Sequence, residues 1–138
     1  NPGYLTAQRK LSMVLLEQYR VDEAIDFLRR IVDGEPADLQ ARFLLARTLL
    51  QRGRLGEAER EIAMLVRKEP TTPAVQELKA QVYVQRGRLD DGLAVYRRLA
   101  VENPGAKAPL QGYLRTLDIK RQQSDEVDME SYLWRSRG

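Results

Sequence analysis

The residues Gln-Arg-Gly-Arg-Leu occupy positions 51–55 and recur unchanged at 85–89, an interval of 34 residues. In the preceding interval the counterpart is the weaker copy at 17–21. Prolines keep the same interval and stand at Pro2, Pro36, Pro70 and Pro104. A fixed period of this length is typical of repeat proteins, in which each unit buries its apolar face only against its neighbours. The sequence therefore predicts a stack of in-phase units.

Each period has the pattern of two helices. In the second unit, apolar residues recur at helical spacing over 38–52 and again over 55–68, with Gly53 between them and Pro70 after them. No stretch shows the sustained alternation of a strand. The predicted fold is therefore all-α, with helices near 5–18, 21–33, 38–52, 55–68, 73–86, 89–102, 107–121 and 125–136.

These units resemble the tetratricopeptide repeat (TPR) family, which has 34-residue helix–turn–helix units closed by a proline. The second unit carries the pattern at Leu45, Ala46, Leu49, Gly53, Ala58, Ile62, Leu65 and Pro70. The third carries it at Ala80, Tyr83, Gly87, Gly92, Tyr96, Leu99 and Pro104. The first carries it at Leu11, Ser12, Leu15, Ala24, Leu28, Ile31 and Pro36, with Tyr19 in place of the turn glycine. The resemblance implies a right-handed superhelical solenoid of about eight antiparallel helices.

The expected organisation is a single solenoid domain over 1–138. Its repeats span 5–36, 39–70 and 73–104, and a divergent fourth helix pair spans 107–137. In that last pair, Glu126 and Glu130 stand where small and aromatic residues are expected. We therefore interpret 125–136 as a terminal helix that covers the last apolar face with Val127, Met129, Leu133 and Trp134.

The beginning of the chain is in phase with the repeats. The residues Asn-Pro-Gly at 1–3 match those at 103–105, so we expect the chain to be a piece of a longer protein. The first helix would then expose an apolar flank and promote weak self-association. The residues of this flank are Tyr4, Leu5, Leu11 and Leu15.

Composition excludes several function classes. Without cysteine or histidine, the chain has no thiol nucleophile, no imidazole base and no Cys- or His-based metal site. We expect no enzyme activity, no cofactor and no metal. A net charge of +3, with Asp26, Glu59 and Glu61 interrupting the arginine pairs, disfavours nucleic acid. No apolar run approaches the roughly 20 residues of a membrane span. The 18 arginines against 5 lysines favour a bacterial source, and the compartment, bacterial cytoplasm or periplasm, stays open.

The resemblance also implies where a partner binds, because the first helix of each TPR unit lines a concave groove. The groove residues expected in the first and second units are Arg9, Met13, Leu16, Gln40, Phe43, Arg47 and Leu50. Those expected in the third unit and the last pair are Glu77, Gln81, Val84, Gln111, Arg115 and Asp118. Arginine suits this role because its planar fork holds a carboxylate at two points.

Three functions remain open. The leading one is a protein–protein interaction scaffold that binds a segment of a partner in the groove. The second is a self-assembling structural module that uses the solenoid ends or the terminal helix, and the third is a polysaccharide-binding groove of a bacterial export protein. The carboxylate clamp of chaperone-binding relatives is rejected, because its positions hold Arg9, Met13, Leu44, Ala74 and Leu78.

Overall fold

The computed structural model describes residues 2–137, which contain α-helices and no β-strand. The predicted all-α fold is confirmed. The helices in this range are α1 (Pro2–Glu17), α2 (Val21–Gly34), α3 (Leu39–Gln51), α4 (Leu55–Lys68), α5 (Pro73–Gln85), α6 (Leu89–Glu102) and α7 (Lys107–Ser136). The chain divides into two compact units, unit 1 ending at Val82 and unit 2 beginning at Tyr83.

A left-handed backbone turn joins the two helices of each of the first three repeats. Gly53 and Gly87 have φ angles of 76° and 80°, which glycine adopts without steric cost. Tyr19, one period before Gly53, has a φ of 59° and makes the same turn despite its side chain. The 34-residue period therefore corresponds to a repeated backbone conformation.

The core of unit 1 lies between helices that pack sequentially, α1 on α2, α2 on α3 and α3 on α4. Leu45 and Leu49 of α3 and Ala58 of α4 are completely buried there. Asp38 caps the start of α3, because its Oδ1 accepts a hydrogen bond from the Ala41 amide at 3.1 Å. This capping fixes where α3 begins beside α1.

In unit 2, α6 packs against α7. The two helices approach closely at Gly112, where an added Cβ would lie 2.4 Å from Cε1 of Tyr96. Only glycine fits this contact without displacement of the ring.

The prediction of separate helices at 107–121 and 125–136 is wrong, since α7 runs unbroken through both. Position 121, one period after Gly87, holds Arg121 and stays helical. The residues expected to cover the last apolar face are therefore exposed: Val127 by 61%, Met129 by 59%, Leu133 by 49% and Trp134 by 81%.

Candidate functional site

An open cavity of about 510 Å³ lies in unit 1 on the first helices of the repeats. It is bounded by α1, the beginning of α3, the end of α4 and the beginning of α5. Its lining residues are Thr6, Arg9, Lys10, Met13, Leu39, Gln40, Phe43, Leu44, Leu65, Glu69, Thr72, Ala74 and Val75. Surfaces contributed by three repeats therefore meet in one concavity.

The cavity has an apolar surface with polar groups near it. Met13 is half exposed, and Phe43 and Leu44 are partly buried against the core cluster. Gln40 and Lys10 are exposed and place an amide and an ammonium among the lining residues. Such a surface can bury an apolar side chain and orient it through a few polar contacts.

Arg9 is held by an ion pair inside the chain. Its Nη1 donates to both carboxylate oxygens of Asp38, at 2.9 and 3.0 Å. The Asp38 side chain is 4% exposed and also caps α3, so the ion pair ties α1 to the capped end of α3. One nitrogen of Arg9 therefore helps to position the two helices, and its predicted role in partner binding stays a prediction.

The structure brings four of the predicted groove residues together in this cavity: Arg9, Met13, Gln40 and Phe43. Arg47 is exposed on α3, one turn after Phe43, and outside the cavity lining. Leu16 of α1 is partly buried and also outside the lining.

The prediction that Leu50 lines the groove is wrong, because its side chain is only 2% exposed and belongs to the core cluster. A side chain enclosed in this way cannot contact a partner. The expectation assigned Leu50 to the groove face of α3, whereas the packing of unit 1 encloses it with the adjacent Leu49.

The third-repeat residues lie on α5. Glu77 and Gln81 are half buried in unit 1, and the burial raises the pKa of the Glu77 carboxyl above its ordinary value. Val84 belongs to unit 2, as do the exposed Gln111, Arg115 and Asp118 of α7. A groove shared by both groups stays a prediction.

Sequence reasoning missed part of the lining: Thr6, Lys10, Leu39, Leu65, Glu69, Thr72 and Val75. Several of these residues lie near helix ends. The spacing of apolar residues along a helix does not show which side chains border a concavity there. The positions of the rejected carboxylate clamp could have identified two lining residues, because Leu44 and Ala74 occupy such positions and line this cavity.

The described residues also bear on metal binding and on membrane spanning. No group of three or more acidic, histidine or cysteine side chains in residues 2–137 is arranged to hold a metal ion. None of the helices in the same range combines the length and apolar character that a membrane span needs.

Comparison with known proteins identifies the type of repeat. Two family models, both described as tetratricopeptide repeat, match residues 15–82 and 73–98. No curated protein matches the chain in sequence.

Solved structures share the fold at low identity. A tetratricopeptide repeat protein from Parabacteroides merdae superimposes with a TM-score of 0.80 at 14% identity, over 94% of this chain and 51% of that one. A thermophilic TPR protein of Thermus thermophilus gives 0.72 at 22% identity, over 88% and 68%. The second TPR domain of human RPAP3, solved in complex with an HSP70 peptide, gives 0.70 at 13% identity, over 84% and 98%. At these identities the likeness is one of fold, and the chain spans about half the length of the Parabacteroides protein.

Proposed function

The chain belongs to the tetratricopeptide repeat family, and on that basis we propose that it is a non-catalytic scaffold that binds a segment of a partner protein in the cavity of unit 1. The observation that carries the proposal is the open concavity formed by the first helices of three repeats together with the end of α4. The peptide complex of the RPAP3 domain, which has a similar fold, supports a peptide as the class of ligand.

The lining indicates what kind of segment fits. Phe43, Leu44 and Met13 offer an apolar contact surface, while the neighbouring Arg9 is already bonded to Asp38. The positions of a carboxylate clamp carry apolar Met13, Leu44 and Ala74 within the lining. The proposed ligand is therefore an internal extended or helical segment with an apolar anchor side chain, and not a chain end held by its carboxylate.

Polar groups near the anchor give the segment its direction. Lys10 and Gln40 are exposed in the lining, and Arg47 is exposed on the next turn of α3. An acidic residue near the anchor can pair with these cations, and the Gln40 amide can bond a peptide group of the segment. These contacts add specificity to an affinity that comes mainly from apolar burial.

Selection of peptides from a random displayed library against the full chain tests this proposal. The selected peptides should share an apolar anchor, and their binding should slow backbone hydrogen exchange in α1 and α3. Slowed exchange confined to α2 and α4, with α1 and α3 unchanged, would contradict binding in the cavity. A library that yields no binder with an apolar anchor would also count against it.

A further inference from the structure

A second concavity, of about 590 Å³, lies in unit 2 between α6 and α7. We name it the α6–α7 groove. Its apolar lining includes Leu93, Val101 and Leu117, of which Val101 is 74% exposed. Its charged lining residues are Asp90, Arg97, Arg98, Glu102 and Lys120, which is one more cation than anions.

The repeat period shows what covers the equivalent surface in unit 1. Two periods earlier, α2 and α3 correspond to α6 and α7, and α4 packs on α3. An ion pair that joins the two helices is found at both places: Arg52 Nη2 lies 2.9 Å from Asp22 Oδ2, and Lys120 Nζ lies 2.6 Å from Asp90 Oδ1. The α6–α7 groove is therefore the surface on which a helix equivalent to α4 would pack.

The burial of individual side chains agrees with this equivalence. Leu45 and Leu49 are completely buried in unit 1, where α4 packs on α3. Their counterparts in α7, Tyr113 and Leu117, are only partly buried. A helix in the groove would complete their burial.

The counterpart of α4 is present in the chain but does not pack there. Two periods after α4, this counterpart is residues 123–136. These residues continue α7, and all residues from 118 to 137 are exposed. A turn back onto the groove would need the left-handed conformation at Arg121, the position of Gly53 and Gly87. That conformation costs a residue with a side chain about 1–2 kcal/mol. Tyr19 bears this cost in the first repeat, so Arg121 opposes closure within one chain without forbidding it.

The exposed end of α7, residues 122–136, is named the extension, and it matches the α6–α7 groove in charge. In unit 1, Arg29 Nη2 of α2 donates to Glu57 Oε1 of α4 at 2.9 Å. The equivalent residues are Arg97 of the groove and Asp125 of the extension, which have opposite charges. Both are exposed, and neither forms an ion pair within residues 83–137.

An apolar pair matches in the same register. Arg42 of α3 and Glu61 of α4 form a buried ion pair in unit 1. The equivalents are Leu110 and Met129, which have changed together from charged to apolar and are 52% and 59% exposed. The extension thus retains the complementarity of a packing helix.

We propose that the extension, residues 122–136, docks in the α6–α7 groove of a second copy of this chain. The extension of the second copy docks in the same way in the groove of the first. Such an exchange is closed by a two-fold axis and leaves no further surface of this kind open. The lengths agree, since α6 and the α4 counterpart each have 14 residues, or about 21 Å of helix. A second copy is the occupant because the matching charges and apolar residues are those of this chain.

Two carboxylates of the extension bear on how it docks. Glu126 and Glu130 stand at the positions of buried residues of α4. The groove is changed in a compatible way, because Tyr113 stands at the position of Leu45 and brings a hydroxyl that can donate to a carboxylate. Arg97, in the same lining, adds a cation.

Sedimentation equilibrium of the full chain, from micromolar to submillimolar concentration, tests the proposal. The chain should dimerise, and Arg97→Glu or Asp125→Arg alone should raise the dissociation constant on the order of tenfold. The double variant, which reverses the pair, should restore most of the affinity. The matched control Arg67→Glu, at an exposed position on α4, should leave the dimer unchanged.

A second variant tests the exchange itself. Arg121→Gly should permit the left-handed turn, convert the dimer to a monomer and keep residues 122–136 protected from hydrogen exchange. A wild-type chain that stays monomeric throughout, or a double variant that does not recover, would overturn the proposal. Dissociation by Leu11→Glu would place the interface on α1 instead and would also overturn it. None of these results bears on peptide binding in unit 1, so the two proposals fail separately.

Discussion

Nη1 of Arg42 on α3 lies 2.6 Å from Oε2 of Glu61 on α4, with side chains only 8% and 13% exposed. Nη2 of the same arginine donates to the Pro36 carbonyl at 3.2 Å. One guanidinium therefore joins α4 to the loop before α3. The equivalent residues in unit 2 are the exposed Leu110 and Met129.

Removal of one member of this pair should destabilise the protein strongly. Arg42→Leu leaves the Glu61 carboxylate enclosed without its cation, which we expect to cost about 3 kcal/mol. The double variant Arg42→Leu with Glu61→Met should recover most of that loss, because two apolar side chains need no charge partner. Urea unfolding monitored by circular dichroism measures both, and a double variant as unstable as the single one would refute this interpretation.

Ala58 should not tolerate a larger side chain. It is completely buried in α4 at the position where the family has a small residue, so Ala58→Leu should cost about 1–3 kcal/mol by overpacking. Ala63→Leu, at an exposed position of the same helix, is the matched control and should be nearly neutral. Equal melting temperatures for the two variants would show that the helix phase is misassigned.

Gly112 and Gly56 should respond oppositely to the same change. A Cβ at Gly112 would lie 2.4 Å from the Tyr96 ring, whereas one at Gly56 would meet nothing within 4 Å. Gly112→Ala should therefore destabilise by about 1–3 kcal/mol. Gly56→Ala should stabilise by up to about 1 kcal/mol, because alanine is the better helix former. Thermal unfolding gives both signs, and stabilisation by Gly112→Ala would contradict the close approach of α6 and α7.

Glu77 should make stability depend on pH. Burial raises the pKa of its carboxyl in the folded state, so the folded protein binds the proton more tightly than the unfolded chain does. Stability is then lost as the pH rises from the ordinary glutamate value, about 4.3, through the raised one. Glu77→Gln should raise the melting temperature slightly at pH 7 and leave it unchanged well below that window. A lowered melting temperature at pH 7 would contradict the stated sign.

The helices of the first three repeats could be predicted because each repeat marks its own ends. Pro73 begins α5, Gly53 and Gly87 make the left-handed turns, and the predicted range 55–68 is the range of α4. These signals are local, since they depend on the conformations that single residues allow. The TPR resemblance depends on the same local signals, and it is confirmed by the family models that match the chain.

The remaining errors concern contacts between helices. The straight course of α7 through Arg121 was not predicted, because Tyr19 makes the turn at the same repeat position without glycine and the analogy with earlier repeats implied a turn there. Leu50 and Leu49 are adjacent, and helical spacing alone did not show that packing encloses both. The bond from Arg9 to Asp38 joins residues 29 apart in sequence, so no local pattern could reveal it.

The affinity of a library-selected peptide for variants of the full chain tests the central claim most directly. Phe43→Ala and Arg47→Glu should each weaken binding on the order of tenfold or more without loss of helicity, while Arg60→Glu, at an exposed position on α4, should bind like the wild type. Undiminished binding to Phe43→Ala and Arg47→Glu, together with loss of binding to Arg60→Glu, would contradict a partner site on the first helices of unit 1.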